Sequence, residues 1–269
     1  MTRGGRPHGY VPRTLVAPAV LALAFLVLPL LALVARVNWS TLWTDVTSPA
    51  ALSALGLSLG TGMLATVLCL LIGAPLALMI ARAGGRAAAL MRAVVTIPLV
   101  LPPMVGGVAL LFLFGRNGWL GEALGAVGIR LPFSTAAVVL AQTFVAMPFL
   151  VLALEGSLRA TGTGYEQAGA ALGAGRWTIL RRVTLPLAAP GLVTGTVLCF
   201  ARAIGEFGAT ALFAGNAPGV TQTMPLAIYT AFNGAGVSQG TAVALALLLL
   251  VTAVLVLVLV RAWRPEAVR

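Results

Sequence analysis

Long runs free of charged side chains alternate with short arginine-bearing stretches along the whole chain. Thr14 to Ala35 is 22 residues without a charge, enough to cross a hydrocarbon core about 30 Å thick as one helix. A cleaved signal peptide would carry an apolar region of only about 7 to 15 residues, so the run predicts a retained first transmembrane helix over 14–35. Further apolar runs predict helices over about Ala54–Ala81, Ala93–Phe114, Ser134–Leu154, Pro190–Phe213 and Thr241–Val260. The pattern defines an all-α integral membrane protein with six transmembrane helices, because only helices or closed barrels satisfy their backbone groups in lipid.

Two of these helices carry further signals. Gly56 and Gly60 are four apart in the second, a spacing that permits close helix packing. The third contains Pro98, Pro102, Pro103 and the pair Gly106-Gly107. Each proline removes a backbone donor, so this helix is expected to be kinked or broken where protein or a water-lined path satisfies the freed carbonyls. Pro102 and Pro103 are therefore candidate pore-lining residues, the competing reading being a helix kinked for packing alone.

The connections differ in length. Arg36 to Ser53 holds Trp39, Trp43, Asp45 and Pro49, which suits an interfacial loop with aromatic anchors. Residues 155–189 form a moderately polar stretch too long for a simple helix connection, so it is expected to have structure of its own. Thr163 and Glu166 fit a reciprocal helix cap. That cap opens a short helix, Gly164 to Leu172, with Tyr165, Ala168 and Leu172 on one face. Gly173 stands where a left-handed residue can end it. A second short turn, Trp177 to Val183, is expected to stop at Pro186.

Composition narrows the chemistry. The chain is 60% hydrophobic and 9% charged, against about 25% charged in a soluble domain. All 17 basic residues are Arg. Without Lys there is no phosphate-binding loop of the kind that needs its lysine on the phosphates. His8 is the single histidine, and Cys69 and Cys199 lie in different apolar runs without ligand spacing, as small core residues would. A catalytic triad, metal site or cofactor site has almost no raw material. The net charge of +11 invites a nucleic-acid partner, but its distribution is topological. Thirteen arginines fall on one side: Arg3, Arg6, Arg13, Arg82, Arg86, Arg92, Arg159, Arg176, Arg181, Arg182, Arg261, Arg264 and Arg269. Only Arg36, Arg116 and Arg130 fall on the other. The positive-inside rule then puts both termini, the tails 1–13 and 261–269, and the long loop in the cytoplasm.

Arg202 and Glu206 interrupt the fifth apolar run four residues apart, on one helical face. Arg202 falls about 18 Å from Pro190, near mid-bilayer, where a charge costs roughly 2.5 to 3.5 kcal/mol. Either the two lock the helix to a neighbour as a structural ion pair, or they form a gate or polar lining of a substrate route.

The long loop resembles the cytoplasmic loop of the permease subunits of bacterial ATP-binding-cassette (ABC) importers. Its Glu-Ala-Ala pattern is represented by Gln167, Ala168 and Gly169, its glycine by Gly173, and its terminal segment, nine residues on, by Val183, Leu185 and Pro186. Gln167 stands in place of the acid and Gly169 in place of the second alanine, with Glu166 one position earlier. Phe200 to Thr210, Phe213 to Asn216 and Thr221 to Tyr229 resemble the molybdate importer permeases, and share less with the sulfate and thiosulfate permeases.

That resemblance implies a type I importer permease fold, with a transport domain over 54–260 of five helices and an ATPase-coupling loop over 155–189. It implies a homodimer with the path along the dimer axis, in the bacterial inner membrane and its lipid. Its partners would be a cytoplasmic ATPase dimer and a periplasmic or extracellular binding protein for molybdate, and for tungstate. No cofactor and no nucleic acid is implied. The alternatives are a sulfate or thiosulfate permease, a membrane enzyme, which the shortage of His, Lys and acids disfavours, and an ion-coupled carrier, which would carry more intramembrane carboxylates than Glu206.

Overall fold

The computed structural model describes residues 12–234 and 239–262. All regular structure among them is helical: α1 (Val16–Ala35), α2 (Leu42–Val46), α3 (Pro49–Arg82), α4 (Gly85–Val100), α5 (Pro103–Phe114) and α6 (Trp119–Ala126). There follow α7 (Thr135–Thr161), α8 (Gly164–Ala171), α9 (Arg176–Ile204), α10 (Gly208–Phe213), α11 (Met224–Asn233) and α12 (Gln239–Ala262). The expected tails, 1–13 and 261–269, lie almost wholly outside the described residues.

By length and composition α1, α3, α7 and α9 can each cross a membrane, and α4 with α5 makes a fifth span if the bent pair counts as one. The last helix contributes a shorter apolar segment, Gly240–Val256. α7 is the central post. Two-thirds of its apolar window (67%) is buried, against 33% for α3 and α9 and none for α1. One side of α7 packs Ala146 and Leu150 against Ala65 and Cys69 of α3 and Cys199 and Ala203 of α9. Ala137, Val138 and Ala141 meet Leu110 of α5 and Phe213 of α10. Two glycines permit close approaches between these long helices: a Cβ on Gly191 of α9 would fall 2.1 Å from Ser157 Cβ of α7, and one on Gly62 of α3 2.7 Å from Ile204 Cγ2 of α9. The spacing of Gly56 and Gly60 does not serve this packing; both face outward, with nothing within 4 Å of a built Cβ.

The third predicted helix is broken outright. α4 and α5 meet at 111° across Leu101 and Pro102. Both residues are extended, with ψ of 135° and 133°. Each precedes a proline, whose ring disfavours the helical region for its predecessor.

Several predicted boundaries move. The second helix starts at Pro49 rather than near Ala54, with Ser48 as its cap, and the third starts at Gly85 rather than near Ala93. The fourth helix runs to Thr161 rather than ending near Leu154, because its polar residues Glu155 and Arg159 pair with one another. Pro186 does not stop a separate turn. Residues Leu180–Thr184 form a single π turn in which Leu185 N donates to Leu180 O, and α9 continues through Pro186 from Arg176. The wider turn relieves the clash that a proline ring makes with the carbonyl four residues back. α9 then ends at Ile204 instead of Phe213, since Gly205 closes it and a new short helix, α10, begins at Gly208.

Candidate functional site

The helix α8 projects from the arginine-rich side of the bundle and has no buried residue. Its C-terminus is closed by two reciprocal bonds: Gly173 N donates to Ala170 O and Ala174 N to Gly169 O, each at 3.0 Å. The geometry requires Gly173 at φ +84°, a conformation that other residues resist. The N-terminus departs from the predicted reciprocal cap. Thr163 makes no side-chain cap; its Oγ1 accepts from Gln167 Nε2 at 3.2 Å. Glu166 turns away to a guanidinium, a stronger partner than a neutral backbone amide.

α8 rests against the first turns of α9. Gly169 packs over Ile179 of α9, where an added Cβ would sit at an ordinary 3.5 Å, so the alanine of the resembled pattern would also fit. Gln167 and Ala168 are exposed, Val183 and Leu185 are half-buried, and Pro186 is exposed. Tyr165 (66%), Leu172 (88%) and Trp177 (67%) are large apolar groups left open around α8, the composition of a protein-docking surface.

Two polar clusters at this end were not legible as such, since their arginines register in the sequence only as topology. Arg82, the last residue of α3, lies with Nη2 2.6 Å from Glu166 Oε1, and Thr184 Oγ1 of α9 donates to the same oxygen at 2.7 Å. Glu155 of α7 is 3% exposed and is held by two cations. Arg92 Nε of α4 donates to Oε1 at 3.1 Å and Arg159 Nε approaches it at 2.7 Å, while Arg159 also reaches Ile80 O of α3 at 3.3 Å. An acid at the end of an apolar run, in a chain with six acidic residues, is the signal that could have flagged Glu155.

Within the bundle, Arg202 Nη2 and Glu206 Oε2 lie 2.7 Å apart. Arg202 is in α9, but Glu206 stands just past its end, 1% exposed, and its Oε1 accepts from Ala209 N at 2.8 Å. The carboxylate thus answers both the arginine and the Ala209 amide in the first turn of α10. A Cβ on Gly208 would lie 3.2 Å from Pro103 Cβ and 3.1 Å from Met104. The two breaks, Leu101-Pro102 and Gly205 to Phe207, therefore abut, which joins the candidate path residues Pro102, Pro103, Arg202 and Glu206 in one region. Phe207 continues it by packing against Tyr229 of α11, the rings tilted by 46° with centroids 5.0 Å apart, beside an open cavity of about 420 Å³.

Broken apolar helices around a central post, with a helical loop projecting from one end, are the architecture of an ABC importer permease, and solved transporters share it. A bacterial alginate ABC transporter, crystallised with its alginate-bound periplasmic protein, matches with a TM-score of 0.71 at 17% identity, over 92% of this chain and 91% of that one. The MetNI methionine ABC transporter in an inward-facing form matches with a TM-score of 0.61 at 23% identity, over 80% and 99%.

The chain belongs to the family described as the binding-protein-dependent transport system inner membrane component, whose model matches residues 73–267. It is a multi-pass membrane transport subunit rather than an enzyme. The molybdenum transport system permease protein ModB of Mycobacterium tuberculosis is 52% identical over 223 residues, 83% of this chain and 84% of that one. ModB of Escherichia coli K12 is 43% identical over 187 residues, 69% and 82%. The sulfate transport system permease protein CysW of Synechococcus elongatus is 38% identical over 179 residues, 66% and 63%.

Proposed function

We propose that this chain is the transmembrane subunit of an ATP-driven importer for molybdate, and for tungstate, which has nearly the same size and charge. The observation that carries the reading is the 52% identity to molybdenum permeases over 83% of the chain. The transport domain spans 54–260 and the chain crosses the membrane six times, with both tails in the cytoplasm. Two copies enclose the path, and the two helix breaks with Arg202 and Glu206 border it.

Hydrolysis belongs to a separate ATPase dimer, on which α8 docks through Gln167, Ala168 and its exposed apolar neighbours. A binding protein on the opposite face delivers the oxyanion. Closure of the ATPase dimer displaces α8, and the packed α9 and α3 move with it as rigid bodies, opening the path alternately to the two sides. In this scheme Gly173 keeps α8 short and Thr163 begins it, while Val183, Leu185 and Pro186 seat it on α9.

The test is reconstitution in liposomes with the ATPase and the binding protein, measuring ATP hydrolysis with molybdate, tungstate or sulfate. Stimulation by molybdate and tungstate but not sulfate is the expected result. Stimulation by sulfate would reassign the substrate, a reading that the 38% identical sulfate permease keeps in view.

A further inference from the structure

Glu166 precedes by one residue the position at which the resembled motif carries its acid, and in this chain its carboxylate is already engaged. Arg82 and Thr184 both hold Oε1, at 2.6 and 2.7 Å. Three elements meet there: the last residue of α3, the first turn of α8 and the π turn of α9. Each charge suits its helix end, the guanidinium beside the terminal carbonyls of α3 and the carboxylate beside the leading amides of α8. Because no residue of α8 is buried, apolar packing gives it little purchase on the bundle. Together with Gly169 over Ile179, this cluster ties it to α3 and α9. The Arg82 and Glu166 side chains, 28% and 22% exposed, line an open cavity of about 490 Å³, so water can reach the site and substitutions there have room.

We propose that Arg82, Glu166 and Thr184 form a tether through which displacement of α8 is passed to α3 and α9, and that Glu166 is a positioning residue within this chain rather than a contact to the ATPase. The proposal rests on the reading of the chain as an ATPase-driven permease. A severed tether leaves α8 docked but slack: hydrolysis proceeds while less substrate crosses per ATP. A merely structural pair would instead lower the amount of assembled complex and leave that ratio unchanged.

The experiment uses the full chain assembled with its ATPase and binding protein in liposomes, with molybdate as probe. It reads the ATPase retained on purification, the rate of hydrolysis, and uptake per ATP. Arg82→Ala and Glu166→Gln are expected to retain the ATPase and hydrolyse within about twofold of wild type, while uptake per ATP falls about tenfold, as for loss of a charge-assisted hydrogen bond. Thr184→Val, which removes only the hydroxyl, gives a smaller loss. The paired reversal Arg82→Glu with Glu166→Arg restores most of the ratio.

Unchanged uptake per ATP in the single variants overturns the tether. So does loss of the ATPase from Glu166→Gln, which would make Glu166 a docking contact. If the single variants do not accumulate, the paired reversal decides alone: inserted and bound to the ATPase yet uncoupled, it overturns the proposal. A wild-type chain that retains no ATPase overturns the permease reading itself, an outcome separate from any variant's behaviour.

Discussion

Glu155 and its two arginines illustrate how unequal the members of an ion cluster are. The carboxylate is 3% exposed, whereas the Arg92 and Arg159 side chains are 37% and 46% exposed and can turn to water when released. Removing both cations strands a buried charge, and that is the costly direction. Arg92→Ala with Arg159→Ala should therefore lower the Tm of the detergent-solubilised chain more than Glu155→Gln does. A larger drop for Glu155→Gln would mean that the arginines are held by something other than this carboxylate. The same asymmetry applies to Arg202 and Glu206, where the deeper partner is again the acid, 1% exposed against 25%. The sequence made that second pair visible because it interrupts an apolar run. Arg92 and Glu155 sit 63 positions apart, beyond the reach of any helical spacing rule.

At the scale of elements, the apolar pattern located the long apolar helices, while errors collected where polar residues or prolines met helical backbone. Residues 155–161 look like loop because they are polar, yet Glu155 and Arg159 are four apart and satisfy each other along α7. Pro186 looks like a stop, but the π turn before it carries the helix on; the same device precedes Pro75, after the π turn Cys69–Gly73 in α3. The paired prolines at 102 and 103 do break the backbone, because consecutive pre-proline residues leave no helical register to resume. For the short α8, the stop at Gly173 was legible from the glycine, but the Thr163 cap failed because Arg82 lies 84 residues from Glu166 and could not be anticipated as its competitor. Gly173→Leu tests what the stop contributes. The left-handed conformation costs a side-chain-bearing residue about 1 to 2 kcal/mol, enough to unwind the reciprocal bonds. Membrane insertion should be normal and ATP-dependent uptake reduced severalfold; unchanged uptake would detach the helix end from coupling.

For the whole molecule, the orientation we propose, both tails in the cytoplasm, rests on the thirteen-to-three division of arginines. Both native cysteines are buried at 0% exposure, so the chain supplies its own unreactive background for topology mapping. Thr163→Cys should react with a membrane-impermeant thiol reagent only from the cytoplasmic side, and Asn117→Cys only from the opposite side. Labelling of both from one side would invalidate the crossing count between them.

The first helix leaves one more consequence. No side chain of α1 is fully buried; Ala24, Leu33 and Val34 are partly covered, and the helix touches α12. The remaining positions could exchange residues among themselves at little cost to this subunit's own interior. Whatever the order of those outward residues specifies is addressed to a reader outside that interior.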